Sequence, residues 1–358
     1  MTIAFMVAVQ QTWALSAQPT VRIGEVEAAQ EYMFAQVGDA VRLADGRIAV
    51  ANGGSSELRV YDAQGKHLRT MGRAGDGPGE FRTLRYLWRL RGDSLVAVDT
   101  RNGRLTFYGP GPTMLHTVQL PPIPAASGRL SDGSYIAALG LAPPDKINNF
   151  QGHIDFVGLV LRRASPTAAY DTIVRGKAGQ SFVQPVGSSW RQYPYPYGRT
   201  AQIAIGNTRF YYGDTHSTEI GIYDTRGTRV GALKLRDGAR ALSGADIERW
   251  IEFEVAKRPN EQAKTDTRVA LREIPAPRKT PEFAALKLDD DGNLWVRRYG
   301  PPWDPSRDWD VYDPNGRSLA SARLPARFEP SHIGRDFVLG VSKDEFDVER
   351  IELYRLTR

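Results

Sequence analysis

The sequence predicts an all-β chain: a six-bladed β-propeller of four-stranded antiparallel blades. Three observations carry the prediction. The first is a returning hexapeptide. Val60-Tyr61-Asp62-Ala63-Gln64-Gly65 comes back as Ile222-Tyr223-Asp224-Thr225-Arg226-Gly227 and as Val311-Tyr312-Asp313-Pro314-Asn315-Gly316, with a degenerate copy at Thr106-Phe107-Tyr108-Gly109-Pro110-Gly111. A β-branched residue and Tyr suit a pleated, half-buried surface. Asp can accept from its own backbone two residues on, and Gly supplies a positive φ, so each copy reads as a strand ending in a tight turn. The second observation is that four short strands with turn signals recur about every 40 residues, the mark of a radial repeat. The third is that short turns and long insertions fall on opposite faces of the expected ring.

The elements follow in order. Thr20 to Val26 alternates and reads as a strand. Unit one runs from Ala40 to Met71, with turns at Asp45-Gly46 and Gln64-Gly65. Unit two comprises 84–90, 94–99, 104–108 and 113–119. Unit three comprises 127–131, 135–139, 154–162 and 169–175. Unit four comprises 200–205, 209–213, 219–224 and 228–235. Unit five comprises 283–289, 293–298, 309–313 and 317–324. The tail offers 331–333, 337–341 and 348–356, one strand short of a blade. Thr20 to Val26 is the expected donor of that strand, which would close the ring and hide its edges. One segment is expected to be helical. Ser243-Gly244-Ala245-Asp246 is a capping-box pattern, and Ile247, Trp250, Ile251 and Val255 follow at helical spacing, giving a helix near 243–258. Residues 258–281 read as loop, and 236–282 as an insertion between blades four and five.

The long insertions (72–83, 140–153, 176–199, 236–282 and 299–308) all join the second strand to the third, or one blade to the next. They therefore share one face, which repeat proteins often use for binding. Trp190, Arg191, Tyr193, Tyr195 and Tyr197 crowd one loop, and Arg297, Arg298, Trp303 and Trp309 lie in or beside another. Tyr, Trp and Arg are over-used at recognition surfaces. Arg forks also bind carboxylate. These nine residues are the ligand-binding candidates, for an anionic or ring-stacking segment of a protein, peptide or glycan. The competing reading is that the aromatics pin the loops down and the arginines pair with acids such as Asp304, Asp308 and Asp310.

The 358 residues carry a formal charge of +6, with the arginines scattered instead of striped, which argues against a nucleic-acid face. The chain has no Cys, so disulfides and thiolate sites are excluded. Residues 1–17 read as a signal peptide: Thr2 to Ala14 is largely apolar and leads to small residues at Ala14 and Ser16. The run is too short to span a membrane. Export to the periplasm or the exterior is the expectation, with 18–358 as one monomeric domain; the alternative is a buried first strand.

Gly72-Arg73-Ala74-Gly75-Asp76-Gly77-Pro78-Gly79-Glu80-Phe81 resembles the interblade segment of NHL-repeat-like six-bladed propellers, and Asp291 to Val296 with Tyr312-Asp313 resembles the same family. The tail resembles the closing blade of exported bacterial propellers. The resemblance implies a fold but transfers no catalytic residue. Propeller lactonases and lyases hold a divalent cation at the channel mouth. Asn52, Asp99 and Asp214 end second strands here and are the alternative ligand set, for calcium or magnesium. Asp at a strand end is also a turn-maker, and Arg297 and Arg298 would oppose a cation. The main expectation is therefore a non-enzymatic binding scaffold without cofactor, with a metal-dependent lactonase or lyase as the alternative. The Gly-rich segment 72–81 lacks Gly-Lys-Ser/Thr and a following helix, so it reads as a turn and not a phosphate cradle.

Overall fold

The computed structural model describes residues 11–25, 29–120, 127–143, 152–166, 168–186, 189–236 and 238–358. Residues 1–10 of the expected leader, Val26 of the expected closing strand, and 144–151 of one insertion lie outside this set.

The repeat units are blades. Blade 1 is Val37–Arg42, Ile48–Asn52, Glu57–Tyr61 and His67–Met71. Blade 2 is Leu84–Arg89, Leu95–Asp99, Arg104–Tyr108 and Met114–Gln119. Blade 4 is Ala201–Ile205, Arg209–Asp214, Glu219–Asp224 and Arg229–Lys234. Blade 5 is Phe283–Leu288, Leu294–Arg298, Asp308–Tyr312 and Ser318–Arg323. Each is an antiparallel meander. First strands of neighbouring blades meet around the central channel: blade 6 touches blade 1, blade 1 touches blade 2, and blade 4 touches blade 5. The apolar core sits between blades. Phe81, Leu84 and Leu58 join blades 1 and 2, and Ile220, Phe283 and Leu294 join blades 4 and 5.

The hexapeptide works as its chemistry dictates. Asp62 Oδ1 accepts from the N–H groups of Gln64 (3.0 Å) and Lys66 (2.8 Å), and Gly65 has φ 88°. Asp224 and Asp313 repeat this at Gly227 and Gly316, both with φ 84°.

Blade 6 consists of Phe328–Ile333, Phe337–Lys343 and Glu349–Thr357, completed by Val21–Ile23. Val21 pairs with Leu353 and Ile23 with Ile351, so the N-terminal strand closes the ring. A further strand, Gln11–Leu15, lies within the expected leader, as the buried-strand alternative had it. It pairs in parallel with the outer strand of blade 5 (Trp13 opposite Ala322) and antiparallel with the end of blade 6 (Leu15 opposite Leu356). Blades 5 and 6 thereby merge into one nine-stranded sheet. Trp13 is buried, its ring centroid 5.7 Å from that of Trp295, and the Arg358 guanidinium lies 4.4 Å from the Trp13 centroid.

Two expectations need correction. Blade 3 contains Gly128–Arg129, Tyr135–Leu141, Gly152–Arg163 and Asp171–Val186, the last running far past residue 175. It gains a fifth strand, Ser189–Pro194, where a loop was expected. The long third and fourth strands rise beyond the blade as a ribbon, and the fifth pairs with that extension. The expected helix is present as α1 (Gly244–Ala256), with its capping box closed: Ser243 accepts from the Asp246 N–H and Asp246 from the Ser243 N–H. The following loop instead contains α2 (Glu261–Arg272), N-capped by Asn260. Its sequence is mostly polar and buries few side chains, Leu271 chief among them, so it lacks the run of large apolar residues that marked α1.

Candidate functional site

The aromatic cluster is built from loops that converge on the long-loop face. Tyr193 and Tyr197 are each 3% exposed and pack with Trp250, Ile251 and Val255 of α1 and Leu271 of α2. The Tyr197 hydroxyl donates to the Asp246 carbonyl (3.1 Å), and Tyr195 stacks on His153 with centroids 4.5 Å apart. Trp303 meets Phe253 edge-on at 5.6 Å, and the Arg249 guanidinium covers it at 5.0 Å. These side chains fasten the helical insertion to blades 3 and 5. Trp190 and Arg191 remain at the exposed tip of the ribbon.

Arg297 and Arg298 are separated by strand geometry. Successive residues of a strand face opposite sides. Arg298 enters a cavity of about 500 Å³ between blades 4 and 5 and makes a fork to Asp310 (2.9 and 2.7 Å). Arg297 enters a second cavity, of about 370 Å³, and pairs with Glu329 at 2.7 Å. There it covers Trp309, 5.6 Å from the ring centroid, and Trp309 is 1% exposed. Trp309 therefore supports the cavity wall and offers no free face for stacking. Ser306 lines both cavities, so the loop 299–308 is the partition between them.

The 370 Å³ cavity occupies the channel mouth. Gly38 and Asp39 of blade 1, Tyr86 of blade 2, Lys287 of blade 5 and Ser331 of blade 6 line its floor, all from first strands. Leu324, Pro325, Phe328, Pro330 and Val341 form an apolar wall. Asp39 is fixed by the N–H groups of Ala40 (2.9 Å) and Leu87 (3.1 Å). Burial pushes its carboxyl above the ordinary value, while Lys287 and His332 act in the opposite sense. Among the described residues, neither Lys287 nor Arg307 has a carboxylate within ion-pairing distance, and the buried Arg297 Nε has no hydrogen-bond partner. By contrast, Lys343 pairs with Glu349 (3.0 Å) and Arg327 with Asp347 (2.6 Å). Sequence reasoning missed Asp39 and Lys287. For Lys287 the available signal was a charged residue within a predicted innermost strand, where solvent is reached only through the channel; Asp39 lies just before the expected start of unit one, in a strand that begins at Val37.

Asn52, Asp99 and Asp214 occupy equivalent places in three blades, and each clasps the segment entering its own blade. Asn52 Oδ1 accepts from the Ala35 N–H (3.0 Å). Asp99 accepts from the N–H groups of Arg82, Thr83, Arg101 and Asn102. Asp214 pairs with the Arg199 Nε at 3.2 Å and accepts from the His216 N–H. Ala35, Arg82 and Arg199 each stand two residues before a first strand, which explains the recurrence. Among the described residues, no group of three or more His, Asp or Glu is placed to hold a metal ion. The Gly-rich segment closes on its own carboxylate: Glu80 Oε2 accepts from the Gly77 N–H (2.8 Å), and a Cβ at Gly75 would collide with that oxygen.

Residues 26–136 match the family described as DUF5128, 6-bladed beta-propeller. The chain is a six-bladed β-propeller. Two solved propellers share the fold along nearly the whole chain. A Bacteroides fragilis protein inferred to be exported is 13% identical, covers 97% of this chain and 96% of its own, and superposes with a TM-score of 0.50. A member of the duf4221 family from Bacteroides vulgatus is 10% identical, with coverages of 97% and 99% and a TM-score of 0.50. Among curated proteins, none matches this sequence. Among the described residues, no helix of the propeller is long and apolar enough to cross a membrane.

Proposed function

We propose that this propeller is an exported, non-enzymatic binding module. It takes a peptide segment on its long-loop face, with an anionic group of that segment seated in the channel mouth. The observation that carries the reading is the cavity beneath Arg297, where Lys287 and Arg307 stand without a carboxylate in ion-pairing distance among the described residues. A cation facing such a cavity favours an anion, because the low-dielectric walls screen it less than open water does. A peptide fits better than a glycan. Sugar rings need open aromatic faces beside the anion site, where Trp309 is buried; Tyr193 and Tyr197 are buried too, and the exposed Trp190 stands at the ribbon tip and does not line the cavity.

The test is titration calorimetry with an oligoglutamate peptide, a hexapeptide ending in leucine, and oligogalacturonate. At least one peptide is expected to bind the wild type and to lose affinity tenfold or more with Lys287→Met. Binding of oligogalacturonate alone, or of none of the three, would overturn the proposal.

A further inference from the structure

We infer that the channel-mouth cavity reads a single carboxylate flanked by an apolar group, the chemistry of a peptide C-terminus with an apolar last side chain or of a free amphipathic acid. This inference rests on the proposed binding function and specifies its ligand. Three features of the site lead to it.

The first is charge. Of the cationic side chains lining the cavity, Arg297 is held by Glu329, Lys343 by Glu349 and Arg327 by Asp347. Lys287 and Arg307 remain, opposed by Asp39 on the same floor. The uncompensated charge is therefore about one positive unit. A monoanion neutralises it. A dianion such as phosphate would bring a second negative charge close to Asp39 and Glu329, with repulsion strengthened by the enclosed walls.

The second is shape. At about 370 Å³ the cavity lies near the lower end of the size range of small-ligand sites. It has room for a terminal group and one side chain, not for a chain running through it.

The third is polarity. Lys287 stands among the first strands on the channel floor, while Leu324, Pro325, Phe328 and Val341 lie on the side toward blades 5 and 6. A ligand with its carboxylate at Lys287 would lay its apolar part along that wall, where each methylene taken from water adds to affinity.

The experiment uses fluorescence anisotropy with a labelled hexapeptide ending in leucine, in free-acid and C-terminally amidated forms. Competitors are 4-phenylbutyrate and inorganic phosphate. The free acid is expected to bind at least tenfold more tightly than the amide. Phenylbutyrate should displace it at concentrations where phosphate does not. Lys287→Met should abolish the difference between acid and amide, Lys287→Arg should retain it, and Arg335→Ala on the opposite face should leave it unchanged. If phenylbutyrate binds and the peptide does not, the ligand is a free acid: the carboxylate inference stands and the peptide reading falls. Equal binding of acid and amide overturns the inference while leaving a peptide-binding function in place. Stronger displacement by phosphate also overturns it. Failure of every probe overturns both.

Discussion

At the scale of single residues, the groups that matter are charged side chains on strands otherwise built for packing. Arg297 and Arg298 are adjacent in sequence, and both are aromatic-rich-loop neighbours, so sequence reasoning grouped them as one patch. The pleat sends them into different cavities, which only the register makes visible. Trp309 looked available because it follows a loop; its position in the strand Asp308–Tyr312 buries it. Asp39 yields a pH prediction. Its folded-state carboxyl lies above its unfolded value because burial disfavours the charged form. It therefore contributes stability below the unfolded value, near about 4, and loses that contribution as pH rises through the folded value. The melting-temperature difference between wild type and Asp39→Asn should change across that acid window in favour of the variant, and be flat above it. A difference independent of pH would show that burial does not raise the Asp39 carboxyl.

At the scale of elements, what the sequence made legible was what repeats. The Asp-x-x-Gly turns, the four-strand units and the capping box at Ser243 each depend on local chemistry, and each is found. The fifth strand of blade 3 escaped because its neighbours stabilise it, and helix α2 because few large apolar residues mark its buried face. Ser189–Pro194 forms against a ribbon that extends beyond its blade, and α2 is held by Leu271 and Ile274 against α1. The insertion has its own apolar cluster, with Trp250 and Ile251 at its centre. Trp250→Ala should cost the insertion about 3–5 kcal/mol. Hydrogen exchange should quicken in 193–197 and 244–274 while the strands of blades 1 and 2 keep their protection. Uniform loss of protection around the ring would show that the insertion and the blades unfold as one unit.

At the scale of the whole molecule, the ring is closed by its N-terminal segment twice over: Val21–Ile23 completes blade 6, and Gln11–Leu15 sutures blade 6 to blade 5. The first closure was legible because the sixth unit lacked a strand. The second was obscured because a short apolar run with small residues at its end serves a leader and a buried strand equally well. A chain beginning at Gln18 loses the burial of Trp13 and uncovers the outer edge of blade 5, and its melting temperature should fall by several degrees, at roughly 1–2 °C for each kcal/mol lost in a chain of this length. An unchanged melting temperature would show that the suture adds no stability. The channel-mouth cavity lies at the same seam. Part of its lining comes from residues 37–39 near one end of the chain and much of the rest from blade 5 and from 324–349 near the other. During synthesis the first of these leaves the ribosome well before the second, so the cavity is completed last, with the final blade. A C-terminally clipped propeller lacking blade 6 would keep most of its blades and lose one wall of the cavity.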